Sequence, residues 1–281
     1  MSSLRVGVDP FGETARVVEI ETADNGTSIL TCHTISTAEI GPQSGARIGE
    51  FVLAIDDSDA VVRIVRPAII DPALTEQAAK YEAEIALLSN GTNLSTQVRP
   101  ISTAGNREWL AISVHESAME KNAIGNFYKW QNGHKCRHLP RSIALGTGLL
   151  FACEPLERSL TVVVQPAERT TSICFLSGQS VIGAARLSKL TLTAPESEVA
   201  GWLAELKMVV DYRLSTDLAA IRGGQPPSYV WAGTESELDR LRGISPIDFA
   251  APQPKVIPFS ARSEVSSITP EWLVALGAAL N

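Results

Sequence analysis

The sequence has no excess of basic residues: 24 lysines and arginines stand against 31 aspartates and glutamates, a net charge of −7 over 281 residues. A protein that grips a phosphate backbone carries the opposite sign, so nucleic acid is not the expected partner. There is no long apolar run. The longest, Ile143 to Cys153, is interrupted by two glycines and a threonine and falls short of the roughly 20 residues that cross a bilayer. The opening MSSLRVGVDPFGET has no charged segment leading into an apolar one, so no secretory leader and a cytoplasmic location are expected. Cysteine is scarce, and Cys32, Cys136, Cys153 and Cys174 are far apart, which favours reduced, buried thiols over a disulfide framework. Histidine is scarce too. His33, His115, His134 and His138 have no nucleophile motif around them, which removes hydrolase readings. His134-x-Cys136-x-His138 would share a strand face, but a closed zinc site takes four ligands and this segment is crowded with Lys135, Arg137 and Arg141. It reads as a basic surface turn, and no metal is expected.

What is present is a globular chain, 44% hydrophobic, with a legible succession of elements. Leu4 to Val8, Ala15 to Ile20 and Ser28 to His33 are β-rich runs separated by Asp9-Pro-Phe-Gly-Glu and Ala23-Asp-Asn-Gly, a meander of two hairpins. After a Gly/Ser/Pro-rich stretch from Gly41 to Gly49, Phe51 to Ile55 and Ala60 to Arg66 flank Asp56-Asp57-Ser58, which predicts another hairpin. Asp71-Pro72 then opens a helix in which Leu74, Ala78, Tyr81, Ile85 and Leu88 recur at helical spacing up to Asn90-Gly91. Strands are expected over Gln97 to Ile101 and Trp109 to Val114 around Gly105-Asn106, then helices over Glu116 to Trp130 and from Pro140 through Cys153.

The opening pattern then repeats. Leu160 to Gln165, Thr171 to Leu176 and Gln179 to Ala184 are again β-runs around polar turns, the second being Ser177-Gly178. A long helix from Pro195 carries Val199, Trp202, Leu203, Leu206, Val209, Val210 and Leu214 on a wide apolar stripe. Tyr229 to Ala232 reads as a short strand, Gly233-Thr-Glu-Ser opens a capped helix to Arg242, and Thr269-Pro270 opens a last helix with Trp272, Leu273, Leu276 and Leu280. A hairpin turn with an acid, a glycine and hydroxyls near residue 9, answered by a second near residue 167, is the plan of a two-lobed phosphate clamp. In such a clamp turn N–H groups and hydroxyls hold phosphates and a carboxylate in each turn holds Mg²⁺ or its waters.

The start Val6-Gly-Val-Asp9, the run Val61 to Pro67 leading into the helix with Glu82, and the hairpin Thr161 to Arg186 carry a wider resemblance. So do Leu206 to Leu214, Val230-Trp-Ala-Gly233 and the ending Trp272 to Leu280. In this order they resemble the actin-like ATPase superfold, and within it the PilM family of type IV pilus assembly proteins and the related cytoplasmic domains of type II secretion platforms. The resemblance implies an α/β, two-lobed, duplicated ribonuclease H-like fold with a small inserted α+β subdomain in lobe 1 and a reduced lobe 2. The division it implies is 1–49 and 132–158 for lobe 1, 50–131 for the insert, 159–268 for lobe 2 and 269–281 for a C-terminal helix packing back on lobe 1. If a nucleotide binds, it implies Asp9, Gly12, Thr14, Thr170, Thr171 and Gly233 as the contacting residues.

Both turns depart from the family pattern. Phe11 stands where the backbone must approach a phosphate, and Glu13 adds charge of the ligand's sign. In the second turn the aspartate is replaced by neutral Gln165, Pro166 has no N–H to donate, and Glu168 repels phosphate. The family's helical subdomain after the second hairpin is reduced to Leu187 to Ala194. Asp9 is open to two readings, a Mg²⁺-linked carboxylate or a turn former before Pro10; strand alternation places Thr171 and Ile173 outward, with Thr170 and Ser172 on the other face. The expected protein is a bacterial pseudo-ATPase, an actin-like scaffold without catalytic residues, cofactor or metal. It would sit in the cytoplasm, peripheral at the inner membrane, and bind the cytoplasmic peptide of a membrane-anchored pilus or secretion platform protein. An ATP- and magnesium-binding conformational switch, if anything a weak ATPase, is the alternative, and homodimerisation is left open. The groove for that peptide would lie between the insert and lobe 1, with Arg63, Arg66, Arg99 and Arg107 lending local positive charge on an acidic chain.

Overall fold

Among the described residues, three sheets and five α-helices are built from these runs. The computed structural model describes residues 3–24, 26–37, 50–67, 72–88, 94–101, 108–115, 136–154, 160–191, 193–219, 226–257, 259 and 267–281. The chain divides into two units, one of Met1–Ile55, Glu120–Glu154 and Pro252–Asn281, the other of Asp56–Met119 and Pro155–Ala251.

In the first unit β1 (Ser3–Phe11), β2 (Thr14–Ala23) and β3 (Gly26–Ser36) form the expected antiparallel meander. β4 (Glu50–Ile55) and β8 (Cys136–Pro140) extend it on the other side in parallel, giving the order β3-β2-β1-β4-β8. The first turn is tighter than the sequence implies. Asp9 and Pro10 lie on β1, paired with Arg16 and Ala15, and the reversal falls at Gly12-Glu13, where Gly12 takes φ 60°. Asp9 is therefore a strand residue and no turn former.

The second unit repeats this plan. β9 (Thr161–Pro166), β10 (Thr170–Ser177) and β11 (Ser180–Ser188) are an antiparallel meander, and β12 (Ser228–Trp231) and β13 (Phe249–Ala250) add in parallel, in the order β11-β10-β9-β12-β13. The duplicated plan read from the repeated β-runs is the observed one. The helix α3 (Glu196–Ser215) lays Val199, Trp202, Leu203, Leu206, Val210 and Leu214 inward. Thr234 caps α4 (Glu235–Ile244) through a capping box: its hydroxyl accepts from Glu237 N–H while the Glu237 carboxylate accepts from Thr234 N–H.

The hairpin expected across Asp56-Asp57-Ser58 does not form. β4 leaves for the first sheet, whereas β5 (Ala60–Val65) pairs antiparallel with β7 (Trp109–His115), which also pairs β6 (Leu94–Pro100). The acidic segment between them is a 3-10 turn, Asp57–Asp59, whose N-cap Asp56 accepts from Ser58 N–H at 2.8 Å. Helix α1 (Pro72–Leu88) covers the three-stranded sheet. Its buried face is not the apolar stripe. Ala79 and Ala83, both 0% exposed, pack against Val65 and Ala111 with Val98 and Trp109, while Leu74, Tyr81 and Ile85 are 47%, 64% and 49% exposed. The short alanines let the helix lie close on the sheet, and the large residues are left outside.

The segment read as a basic surface turn is β8, with His138 buried and Cys136 half-buried; Cys32, Cys153 and Cys174 are buried thiols that form no disulfide. The helix expected over Glu116 to Trp130, the stretch 41–49, the turns at Asn90-Gly91 and Gly105-Asn106, and His134 lie outside the described residues. Among the described residues, no helix is long and apolar enough to cross a membrane.

The first unit is knit by backbone contact. α5 (Leu273–Leu280), entered through a 3-10 turn at Pro270–Trp272, packs on β1, β2, β4 and α2 (Arg141–Ala152). A Cβ on Gly277 would lie 1.7 Å from Ala144 O, one on Gly148 1.9 Å from Leu273 O, and one on Gly7 2.0 Å from Ala275 O. Only hydrogen fits at these three crossings. Gly277→Ala is accordingly expected to cost about 3 kcal/mol or more by overpacking. Gly201→Ala, with nothing within 4 Å in the middle of α3, is expected to stabilise by about 0.5–1 kcal/mol; chemical denaturation of the two variants measures both.

Candidate functional site

The residues nominated for a phosphate clamp fall on a turn in each unit, and each turn is described in its own surroundings. In the first unit Asp9 is fully buried. Strand pairing puts Arg16 directly across from it, and the start of α2, reached from β8, delivers Arg141 to the same carboxylate. Arg141 Nη1 donates to Asp9 Oδ1 and lies 3.4 Å from Pro10 O, and Arg16 Nη1 stands 3.7 Å from Asp9 Oδ2. Burial pushes the Asp9 carboxyl upward, and the Arg141 and Arg16 guanidiniums pull against it. A cation at a helix N-terminus faces the positive end of the helix dipole, so Arg141 is itself a group that needs a carboxylate. Each charge answers the other's burial.

The rest of this turn is also held by protein partners. Thr14 Oγ1 donates to Phe11 O at 3.0 Å, and Glu13 O accepts from both Thr37 N–H (2.8 Å) and the Thr37 hydroxyl (3.0 Å). The Phe11 ring lies under the Arg16 guanidinium, 4.9 Å from ring centre to carbon, and Arg16 reaches Glu271 at 3.9 Å.

In the second unit the turn Ala167–Arg169 is closed by Ala167 N–H donating to Thr170 O at 2.9 Å, with Gln165 buried and Glu168 exposed. The alternation expected of β10 fails, because both faces of the strand are covered: Thr171, Ser172 and Ile173 are all 0% exposed. Its hydroxyls turn to the acidic 3-10 segment and the neighbouring strand. Thr170 Oγ1 donates to Asp56 Oδ2 at 3.3 Å, Ser172 Oγ to Asp57 Oδ2 at 2.5 Å and Thr171 Oγ1 to Ser188 O at 3.2 Å. Arg186 donates to Asp57 O at 3.2 Å, and Arg169 lies 3.8 Å from Asp59. Asp56, Asp57 and Asp59 thus crowd the turn with carboxylates.

Gly233 follows β12 and leaves no room for a side chain: a Cβ would stand 2.4 Å from Glu237 Oε2 and 2.5 Å from Trp231 Nε1. The N-terminus of α4, the usual seat of a ligand anion, holds Glu237 instead. Of the basic residues expected to charge the insert, Arg66 is committed to buried Glu108 at 2.7 Å and to Asp217 O at 3.1 Å, burial lowers the Arg99 pKa, and Arg107 lies outside the described residues. The sequence reading missed Arg141 and Asp57 as site residues. Arg141 stands at the head of an apolar helix, where an isolated charge signals a buried partner, but nothing local says which acid that is.

The repeated order of antiparallel meander and parallel strands defines the actin-like ATPase fold, and comparison with solved structures agrees. Over 98% of its length the chain is similar to 97% of a chain of the PilM-PilN type IV pilus biogenesis complex, at TM-score 0.61 and 15% identity. It is similar over 99% of its length to 96% of the cytoplasmic domain of EpsL, an inner-membrane component of the Vibrio cholerae type II secretion system, at TM-score 0.51 and 12% identity. A Bacteroides thetaiotaomicron protein with an actin-like ATPase fold matches over 97% of this chain at TM-score 0.50 and 8% identity. No family model matches the sequence, and no curated protein does.

The ion pair yields a prediction. Asp9→Ala, which leaves Arg141 buried without its carboxylate, is expected to cost about 3–5 kcal/mol, and Asp9→Ala combined with Arg141→Leu to recover most of that loss. A double-mutant cycle by urea denaturation measures it.

Proposed function

We propose that the chain is a non-catalytic, actin-like scaffold of a type IV pilus or type II secretion platform. In this reading it is held at the cytoplasmic face of the inner membrane by binding cytoplasmic segments of membrane-anchored partners. The observation that carries the reading is the Asp9 carboxylate, buried and taken by Arg141. Magnesium-ATP does not fit the residues present. Asp9 has given its charge to a guanidinium, Gln165 cannot replace a second carboxylate on the metal, and the hydroxyls of Thr14, Thr170 and Thr171 donate to protein oxygens. Glu13, Glu168 and the Asp56–Asp59 carboxylates add charge of the sign a triphosphate carries. Likeness over nearly the whole length to a PilM-PilN chain and to an inner-membrane secretion component supports the platform part.

Titration calorimetry of the full chain with Mg-ATP is expected to give no saturable heat. Synthetic peptides of the cytoplasmic segments of single-span membrane proteins encoded beside it are expected to bind with the same affinity with and without Mg-ATP. Saturable nucleotide binding that changes peptide affinity would establish the alternative, an ATP-driven switch. If no such peptide binds, the platform assignment falls while the fold assignment stands.

A further inference from the structure

The apolar stripe of α1, on which Leu74, Tyr81 and Ile85 are exposed, has a period of its own. Leu74, Ala78, Tyr81, Ile85 and Leu88 follow one another in steps of four, three, four and three, the spacing of the a and d positions of a heptad. With Ala78 and Ile85 at a, Leu74, Tyr81 and Leu88 fall at d, and the flanking e and g positions hold Thr75, Gln77, Glu82 and Glu84. The helix seats its other face, Ala79 and Ala83, on the three-stranded sheet, so Leu74, Tyr81 and Ile85 of the seam are presented outward. Three large apolar side chains, 47–64% exposed and at heptad spacing, are not an ordinary scatter of surface residues.

Charge decides what covers the seam. α1 carries Glu76, Glu82 and Glu84 against the single cation Lys80, which lies 3.9 Å from Glu84 as an exposed i,i+4 pair of small worth. Neither flanking row has a basic residue. A second copy of the chain would therefore set one acidic-flanked seam against another, with nothing to answer the carboxylates. A helix with lysine or arginine at its e and g positions answers them in register.

We propose that the outer face of α1 is a docking seam for an amphipathic partner helix whose apolar a/d stripe is flanked by basic residues. This goes beyond the platform reading and does not rest on it, since neither the turns nor a membrane partner enters the argument.

The test uses two designed 21-residue helical peptides with leucine and isoleucine at a and d, one with lysine and one with glutamate at every e and g position. Fluorescence anisotropy with the full chain is expected to show saturable binding of the lysine peptide, weakened several-fold between 50 and 500 mM salt, and at least tenfold weaker binding of the glutamate peptide. Ile85→Glu, on an exposed position, should leave the thermal midpoint unchanged and weaken the lysine peptide at least tenfold. Glu82→Lys with Glu84→Lys should reverse the preference between the peptides. Binding of neither peptide, equal binding of both, or indifference to Ile85→Glu overturns the proposal. So does a dimer in sedimentation that Ile85→Glu dissociates, which would assign the seam to a second copy.

Discussion

The first unit depends on one steric constraint: β1, α2 and α5 meet at three points where no side chain fits. Gly7, Gly148 and Gly277 bring carbonyl groups and Cα atoms into close approach, and Val8, Ile143, Leu145 and Leu276 near them in sequence are fully buried. Fixing α5 that closely against both β1 and α2 also fixes where α2 begins. Its first residue is Arg141, and the strand beneath it carries Asp9. The ion pair is thus a consequence of the glycine contacts as much as of the charges. Two ionised groups removed from water cost several kcal/mol each unless they are paired with good geometry, and here the rigid crossing supplies the geometry.

The second unit arrives at the same outcome by a different route. Here the hydroxyls of Thr170 and Ser172 on β10 donate to the acidic 3-10 segment that joins β4 to β5. A hydroxyl already donating to a carboxylate has little to offer a phosphate, and the carboxylate it serves repels one. The neutral side chain of Gln165 and the Asp57 carboxylate beside Ser172 act in the same direction. In each unit, by unlike chemistry, side chains nominated for a phosphate clamp are bonded to protein groups.

How much of this was legible follows from how local each signal is. The meanders, the glycine reversals at Gly12 and Gly178 and the Thr234 capping box rest on residues a few positions apart, and the repeat of the pattern predicted the three antiparallel strands that open both five-stranded sheets, not the parallel strands added to them. Arg141 and Asp9 are 132 residues apart, and no spacing rule joins them. Asp56-Asp57-Ser58 has turn composition and makes a turn, but composition does not say that the strands on either side leave for different sheets. Alternation also misled at Thr171 and Ser172, because a strand covered on both faces has no outward side to mark.

Helix α1 shows the same limit in its most consequential form. Periodicity finds an apolar stripe but is silent on which of two stripes the sheet selects. The selection is made by size, since a close helix-on-sheet contact admits Ala79 and Ala83 and would be forced apart by Tyr81 or Ile85. Leaving a large apolar side chain half in water forfeits on the order of 1 kcal/mol of burial, so Leu74, Tyr81 and Ile85 together are a standing cost to the chain on its own. Among the described residues, none of the three belongs to the buried cluster of Val65, Ala79, Ala83 and Ala111 or to Val98 and Trp109 packed against it. Polar residues at those positions would leave the alanine face and the helix unchanged, and what the larger side chains add is the capacity to bury surface against a second body.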